Sequence, residues 1–74
     1  SPILIKDSLA GFRLIIFSDT EEELKVYAVK GNNEKLILTN KLEAGNNIFT
    51  LQNDLSEFEK IKIIYGSQET YLSF

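Results

Sequence analysis

Hydrophobic positions along this 74-residue chain come in short runs, many alternating with polar positions and separated by Gly, Asn, Asp and Ser. That pattern predicts consecutive short strands, because successive side chains of a strand point to opposite faces. The first is Ile3 to Lys6, closed by Asp7-Ser8. Next comes Phe12 to Phe17, whose stretch Leu14-Ile15-Ile16-Phe17 is apolar on both faces and so predicts a central strand. From Leu24 to Val29, the residues Leu24, Val26 and Ala28 fall on one side and Lys25 and Tyr27 on the other, a half-buried pattern. Lys30-Gly31-Asn32-Asn33-Glu34 then supplies a hairpin turn, since Gly and Asn tolerate positive φ. Its return arm sets Leu36, Leu38 and Leu42 on one face and Lys35, Ile37, Thr39 and Lys41 on the other. Ala44-Gly45-Asn46-Asn47 turns the chain into Ile48 to Leu51, and a last pair, Lys60 to Tyr65 and Glu69 to Ser73, flanks Gly66-Ser67-Gln68.

Two stretches carry a competing helical signal. Thr20-Glu21-Glu22-Glu23 has the form of a capping box, and Leu24, Tyr27 and Ala28 also fit helical spacing. The β-branched and aromatic content of Leu24 to Val29 favours strand. Asn53 to Glu59 opens with cap-like residues and spaces Leu55, Phe58 and Ile61 by threes, which predicts one helical or 3₁₀ turn crossing between sheets.

About seven short strands in so small a chain hide their apolar faces best as two sheets packed face to face. The predicted fold is therefore all-β, a small immunoglobulin-like β-sandwich of antiparallel strands. With no Trp and no Cys, any immunoglobulin likeness is one of architecture. Phe12, Phe17, Phe49 and Phe58 are assigned to the core, as Phe usually is, and Tyr65 shares a face with Ile61 and Ile63. Pro2 cannot donate a ladder hydrogen bond, so Ile3 to Lys6 reads as an exposed edge.

Composition narrows the classes of function. Residues 1–74 make one domain, read as part of a larger protein, and at this size a core nets only about 3–5 kcal/mol without an extra staple. There is no Cys and no His, which removes disulfides, thiolate ligands and the commonest general base. Eleven acids against eight bases give a net charge of −3. The bases are scattered singly, so nucleic acid is not the expected partner. The longest apolar run, Leu14 to Phe17, is far short of the roughly 20 residues of a spanning helix. Ser1-Pro2 lead straight into Ile3-Leu4-Ile5 without a signal-peptide pattern; a mature or excised segment reads the same way, so secretion stays open.

Candidate chemistry is sparse. Asp19, Glu21, Glu22 and Glu23 could offer oxygens to Ca²⁺, but they lack the alternating spacing and central Gly of a calcium loop and read as a solvated turn. Glu57 and Glu59 evoke a glycosidase pair, which needs a deep cleft that a sandwich this small has little room for. Ser8, Ser18, Ser56, Ser67 and Ser73 have no histidine partner, and the nucleophile-elbow motif is absent. The expectation is a non-enzyme with no catalytic residue, metal or cofactor. Tyr27 and Tyr71 fall on the outward side of their strands and are the candidate ligand contacts, able to stack on sugar rings. Asn32, Asn33, Asn40, Asn46, Asn47 and Asn53 are numerous; four lie in turns, where backbone geometry explains them.

Leu24-Lys25-Val26-Tyr27 before a Gly turn, Lys35-Leu36-Ile37-Leu38-Thr39 after it, and Leu42-Glu43-Ala44-Gly45-Asn46-Asn47-Ile48 with Leu51 following form a recognisable order of elements. From Glu23 onward this order resembles the C-terminal domain of cargo proteins of the type IX secretion system of Bacteroidetes. Where that family commonly has Leu-Ser, a small residue, Gly and Tyr, this chain has Leu55-Ser56-Glu57-Phe58-Glu59, and it ends Tyr71-Leu72-Ser73-Phe74 without a basic tail. The resemblance implies an immunoglobulin-like sandwich and a noncatalytic sorting, attachment or spacer role on a bacterial secreted or cell-surface protein. The implied partner is a protein or the parent chain. A carbohydrate-binding or adhesive module using Tyr27 and Tyr71 is the alternative, with glycan as ligand.

Overall fold

The computed structural model describes residues 1–7 and 11–74; Ser8, read from sequence as part of the first turn, lies outside the described residues. Seven strands run β1 (Ile3–Asp7), β2 (Gly11–Ser18), β3 (Glu22–Lys30), β4 (Asn33–Leu42), β5 (Gly45–Leu51), β6 (Lys60–Tyr65) and β7 (Gln68–Ser73), and no helix occurs among the described residues. They form two antiparallel sheets, one of order β1-β2-β5 and one of order β4-β3-β6-β7. The protein is an all-β sandwich whose chain passes from one sheet to the other after β2, β4 and β5.

Both stretches with helical signals resolve for physical reasons. In β3 the side chains of Leu24, Val26 and Ala28 are wholly buried. A helix would have gathered Leu24, Tyr27 and Ala28 on its apolar face and turned Val26 away. Asn53 to Glu59 is a crossover with one isolated turn: the Phe58 N–H donates to the Leu55 carbonyl at 3.0 Å, and the Ser56 N–H to Asp54 Oδ1 at 3.1 Å. Those carboxylate contacts, the backbone one foremost, hold the Asp54 pKa below its ordinary value.

Two hairpins organise the four-stranded sheet. Lys30 pairs with Asn33 and Tyr65 with Gln68, leaving two-residue loops Gly31-Asn32 and Gly66-Ser67. In each the glycine comes first and takes φ of 57°, as a type II′ hairpin requires at that position. Positive φ is confined to glycines among the described residues, so the asparagines are not used for it.

Between the sheets, Leu14 and Ile16 of β2 and Leu51 of β5 meet Leu24, Val26, Leu42, Ile61, Ile63 and Tyr65 from the other layer. Burying each Leu or Ile contributes about 1.5–3 kcal/mol, most of it offset by chain entropy. Tyr65 is buried on the face of Ile61 and Ile63, as strand parity predicts.

Three sequence-based assignments are corrected. Phe17 is not core: even-numbered residues of β2 (Leu14, Ile16, Ser18) face inward, so Phe17 points out and is exposed. Phe12 and Phe49 pack at the margin of the core and Phe58 is half-buried. Leu36 does not share a face with Leu38, because the ladder slips between Val26↔Leu38 and Tyr27↔Leu36, leaving Ile37 as the extra residue of a bulge. The bulge resets the alternation, and Leu36 becomes exposed beside Tyr27.

Asn47 is the third. It is no turn residue but sits inside β5, buried, opposite Ile16. Its Oδ1 accepts from the Glu43 N–H at 2.9 Å, and its Nδ2 donates to the carbonyls of Ile16, Glu43 and Gly45 at 3.3, 2.9 and 3.2 Å. One side chain thereby fastens the β4–β5 crossover to β2.

Candidate functional site

The sandwich measures only 17 Å across its thinnest direction between Cα extremes. Two sheets about 10 Å apart fill that thickness, and among the described residues no third layer covers either outer face. The two faces differ sharply in chemistry.

On the three-stranded sheet the cross-strand register aligns Ile3, Ile15 and Ile48 as one row over β1, β2 and β5. Ile5, Arg13 and Thr50 form the row on one side of it, and Phe17 and Asn46 lie on the other. Four of these apolar side chains are well exposed: Ile3 by 54%, Ile5 by 45%, Phe17 by 54% and Ile48 by 66%. Contiguous exposed apolar side chains of this kind are often functional. Arg13 donates to Asp7 on the same face at 3.0 Å, so the charge at that end is internally paired.

The four-stranded sheet presents the opposite character. Tyr27 of β3, Lys62 of β6 and Tyr71 of β7 are neighbours in one cross-strand row, with Leu36 of β4 beyond Tyr27. Tyr71 is exposed and Tyr27 half-buried. The Lys62 ammonium stands 4.9 Å from the Tyr27 ring centre, and Lys60 stands 4.8 Å from that of Tyr71. Lys62 also meets both Glu34 carboxylate oxygens at 2.7 Å and Glu69 at 3.9 Å, and its side chain is only 12% exposed. Its pKa is raised, chiefly by the hydrogen bond to Glu34. Both candidate ring-stacking residues are therefore brought onto one face, each with an ammonium against its ring. A sugar would compete with those cations for the π-faces.

Elsewhere Glu59 and Glu21 make contacts within the fold. Glu59 Oε1 accepts from the Gly31 N–H at 3.0 Å, and the Glu59 N–H donates to the Val29 carbonyl at 2.9 Å, bracing the β3–β4 hairpin from the crossover. Glu21 pairs with Lys41 at 3.0 Å. That hydrogen bond is the first cause of a lowered Glu21 pKa and a raised Lys41 pKa. Among the described residues no three acids converge as metal ligands would. A cleft of about 530 Å³ at one end is lined by Phe17, Ser18, Asp19, Glu22, Tyr65 and Gln68, among others. Ser18 is buried there, and its hydroxyl donates to the Thr20 carbonyl at 2.6 Å.

The apolar outer face is the site that sequence reasoning missed. Its signal was present in Leu14-Ile15-Ile16-Phe17. In a two-layer sandwich each sheet buries one face only, so a strand apolar on both sides leaves one side uncovered.

Fold and surface together define a class: a small two-layer β-sandwich with one apolar and one charged, tyrosine-bearing outer face. No family model, curated protein or solved structure matches the chain.

Proposed function

We propose that this domain is a noncatalytic accessory module, of immunoglobulin-like build, on a larger bacterial secreted or cell-surface protein, where it sorts, attaches or spaces its parent through protein contact. The observation that carries the reading is the exposed apolar face of Ile3, Ile5, Phe17 and Ile48, with half-buried Ile15 among them. The strand order supports it too. Lettered A, B, C, C′, E, F and G, the strands give sheets ABE and C′CFG, a C′ strand joining the CFG sheet as in variable-type immunoglobulin domains. The order of strands and turns from Leu24 to Leu51 further supports the likeness to type IX cargo domains. Fusing the domain to a passenger protein and following export and surface retention tests the proposal. Retention that is the same with and without the domain refutes the sorting and attachment role.

A second reading, a carbohydrate-binding or adhesive module, draws on the alignment of Tyr27 and Tyr71 in one row of the outer face. Glycan binding that disappears in a Tyr27→Ala/Tyr71→Ala variant supports it. Binding that survives both replacements refutes that mechanism.

A further inference from the structure

We propose that the outer face of the β1-β2-β5 sheet is where two copies of this chain meet, sheet against sheet, about a two-fold axis lying between the sheet planes. The inference rests on reading that face as an interface, as above, and names its occupant. Three observations favour a second copy.

The first is area. At on the order of 200 Å² for a large side chain, the exposures of Ile3, Ile5, Phe17 and Ile48 leave about 400 Å² of apolar surface on each copy. Two copies bury about 800 Å² from these residues, and Ile15 with the rim of Arg13, Asn46 and Thr50 brings the total near 1,200 Å², the lower bound for a specific stable interface. An interface at that lower bound belongs with weak, transient contacts, so dimerisation is expected at micromolar concentrations and above.

The second is self-compatibility. A two-fold contact sets a patch against itself, so each residue must tolerate what symmetry brings opposite. Ile3, Ile15 and Ile48 cross the middle of the face. An axis running along that row sets Ile3, Ile15 and Ile48 each against its own copy and brings Arg13 to the Phe17 end of the other molecule, whereas an axis along β2 would set Arg13 against Arg13. Apolar side chains accept this where a like charge would not.

The third is charge. Each copy carries a net charge of −3, so most of the surface repels another copy. Among the described residues, the charges on this face are Asp7 and Arg13, at one end, and they neutralise each other at 3.0 Å. The apolar centre is thus the region where two negative molecules approach at least cost. An acidic or basic protein partner would find no complementary charge there.

The test is the molecular mass of the isolated domain by sedimentation equilibrium between about 1 and about 500 µM, for wild type, Ile48→Glu and Tyr71→Glu, the last on the opposite face. Circular dichroism melts establish that each is folded. If Ile48→Glu melts well below wild type, Ile3→Lys at the far end of the row takes its place. The proposal expects wild type and Tyr71→Glu to pass from monomer to dimer over this range, and Ile48→Glu to stay monomeric, its dissociation constant raised at least about 100-fold. It is overturned by a wild type that stays monomeric, by Ile48→Glu dimerising like wild type, or by Tyr71→Glu weakening the dimer equally. Surface retention of the passenger separates the two readings. A monomeric wild type whose Ile48→Glu variant loses retention overturns self-pairing alone, and a monomeric wild type with retention unaffected overturns the interface reading as well.

Discussion

Replacing Asn47 by alanine is the sharpest test of how this small fold holds together. The substitution deletes an acceptor for the Glu43 N–H and a donor shared among the carbonyls of Ile16, Glu43 and Gly45. Glu43 is exposed and its backbone can turn to water, whereas Ile16 is completely buried and its carbonyl cannot. At about 1 kcal/mol net for each ordinary bond, with more for a group left unpaired in the interior, the loss comes to about 2–3 kcal/mol. That is half or more of the roughly 3–5 kcal/mol available to a domain of this size. In thermal unfolding it corresponds to a fall of about 10–20 °C in Tm, and in urea to a midpoint lower by about 2 M for a slope near 1 kcal/mol/M. Asn46→Ala, at the exposed neighbouring position, is the control and should stay within about 0.5 kcal/mol of wild type. Asn47→Asp separates hydrogen bonding from shape: it keeps an acceptor, loses both donors and sets a carboxylate against three carbonyls. Burial raises the pKa of that new carboxyl, so this variant should gain stability as pH falls toward 4, opposite to ordinary acid denaturation. If Asn47→Ala melts within 2 °C of wild type, the side chain only fills space and the account of the crossover is wrong.

Three further outcomes are expected. Ile61→Ala empties a fully buried core position at a cost of about 2–5 kcal/mol and should lower Tm by about 10 °C or more by circular dichroism; a cooperative melt near that of wild type contradicts the core assignment. Phe17→Ser, at an exposed position, should change stability by less than about 0.5 kcal/mol, whereas Phe12→Ala, packed against the core and 4.9 Å from the Phe74 ring, should destabilise measurably; equal effects would mean that Phe17 is covered. The pKa of Lys62 is raised by Glu34, so the pair's contribution is complete below the unfolded-chain value of about 10.4 and is lost as pH rises through the higher folded value. The stability difference between wild type and Glu34→Gln should therefore shrink between pH 9 and pH 12 in urea titrations, and a difference constant with pH refutes the coupling.

Much of the fold was legible because its strands obey local rules. Ile61, Ile63 and Tyr65 alternate cleanly with Lys60, Lys62 and Ile64, and burial follows that alternation residue by residue. Gly31-Asn32 and Gly66-Ser67 are where the hairpins turn, since a two-residue loop needs positive φ at its first position. What escaped were features that depend on the partner strand. Leu36 sits on the opposite face from Leu38 only because Ile37 is accommodated as a bulge against the Val26–Tyr27 step, which the return arm's own pattern does not reveal. Asn47 resembles any turn asparagine until Ile16, far away in sequence, offers it a carbonyl. The candidate tyrosines were placed correctly on an outer face from parity alone, but the ammonium groups beside them come from β6, which the pattern paired with β7 across the Gly66 turn and could not place beside β3. The apolar face went unrecognised because two-sided hydrophobicity was read as burial on both sides.

The nesting of the β3–β4 hairpin inside the β2–β5 pairing dictates an order of assembly. Glu22 opposite Leu42 closes the hairpin, and only the short links on either side separate that pair from Ser18 opposite Gly45. Unaided, β2 and β5 must close a long loop; once the hairpin exists they are already neighbours, and most of that entropy has been spent. Folding should then proceed outward from the Gly31 turn, with β2–β5 zipping next and the outer strands β1 and β7 joining late. Gly31→Ala, whose added methyl meets nothing within 4 Å and acts only through φ, should slow folding and leave the unfolding rate nearly unchanged. Leu72→Ala in β7 should do the reverse. The apolar face, made by strands from both ends of the nest, would then be completed among the last features of the fold, after the interior that could otherwise trap its isoleucines has closed.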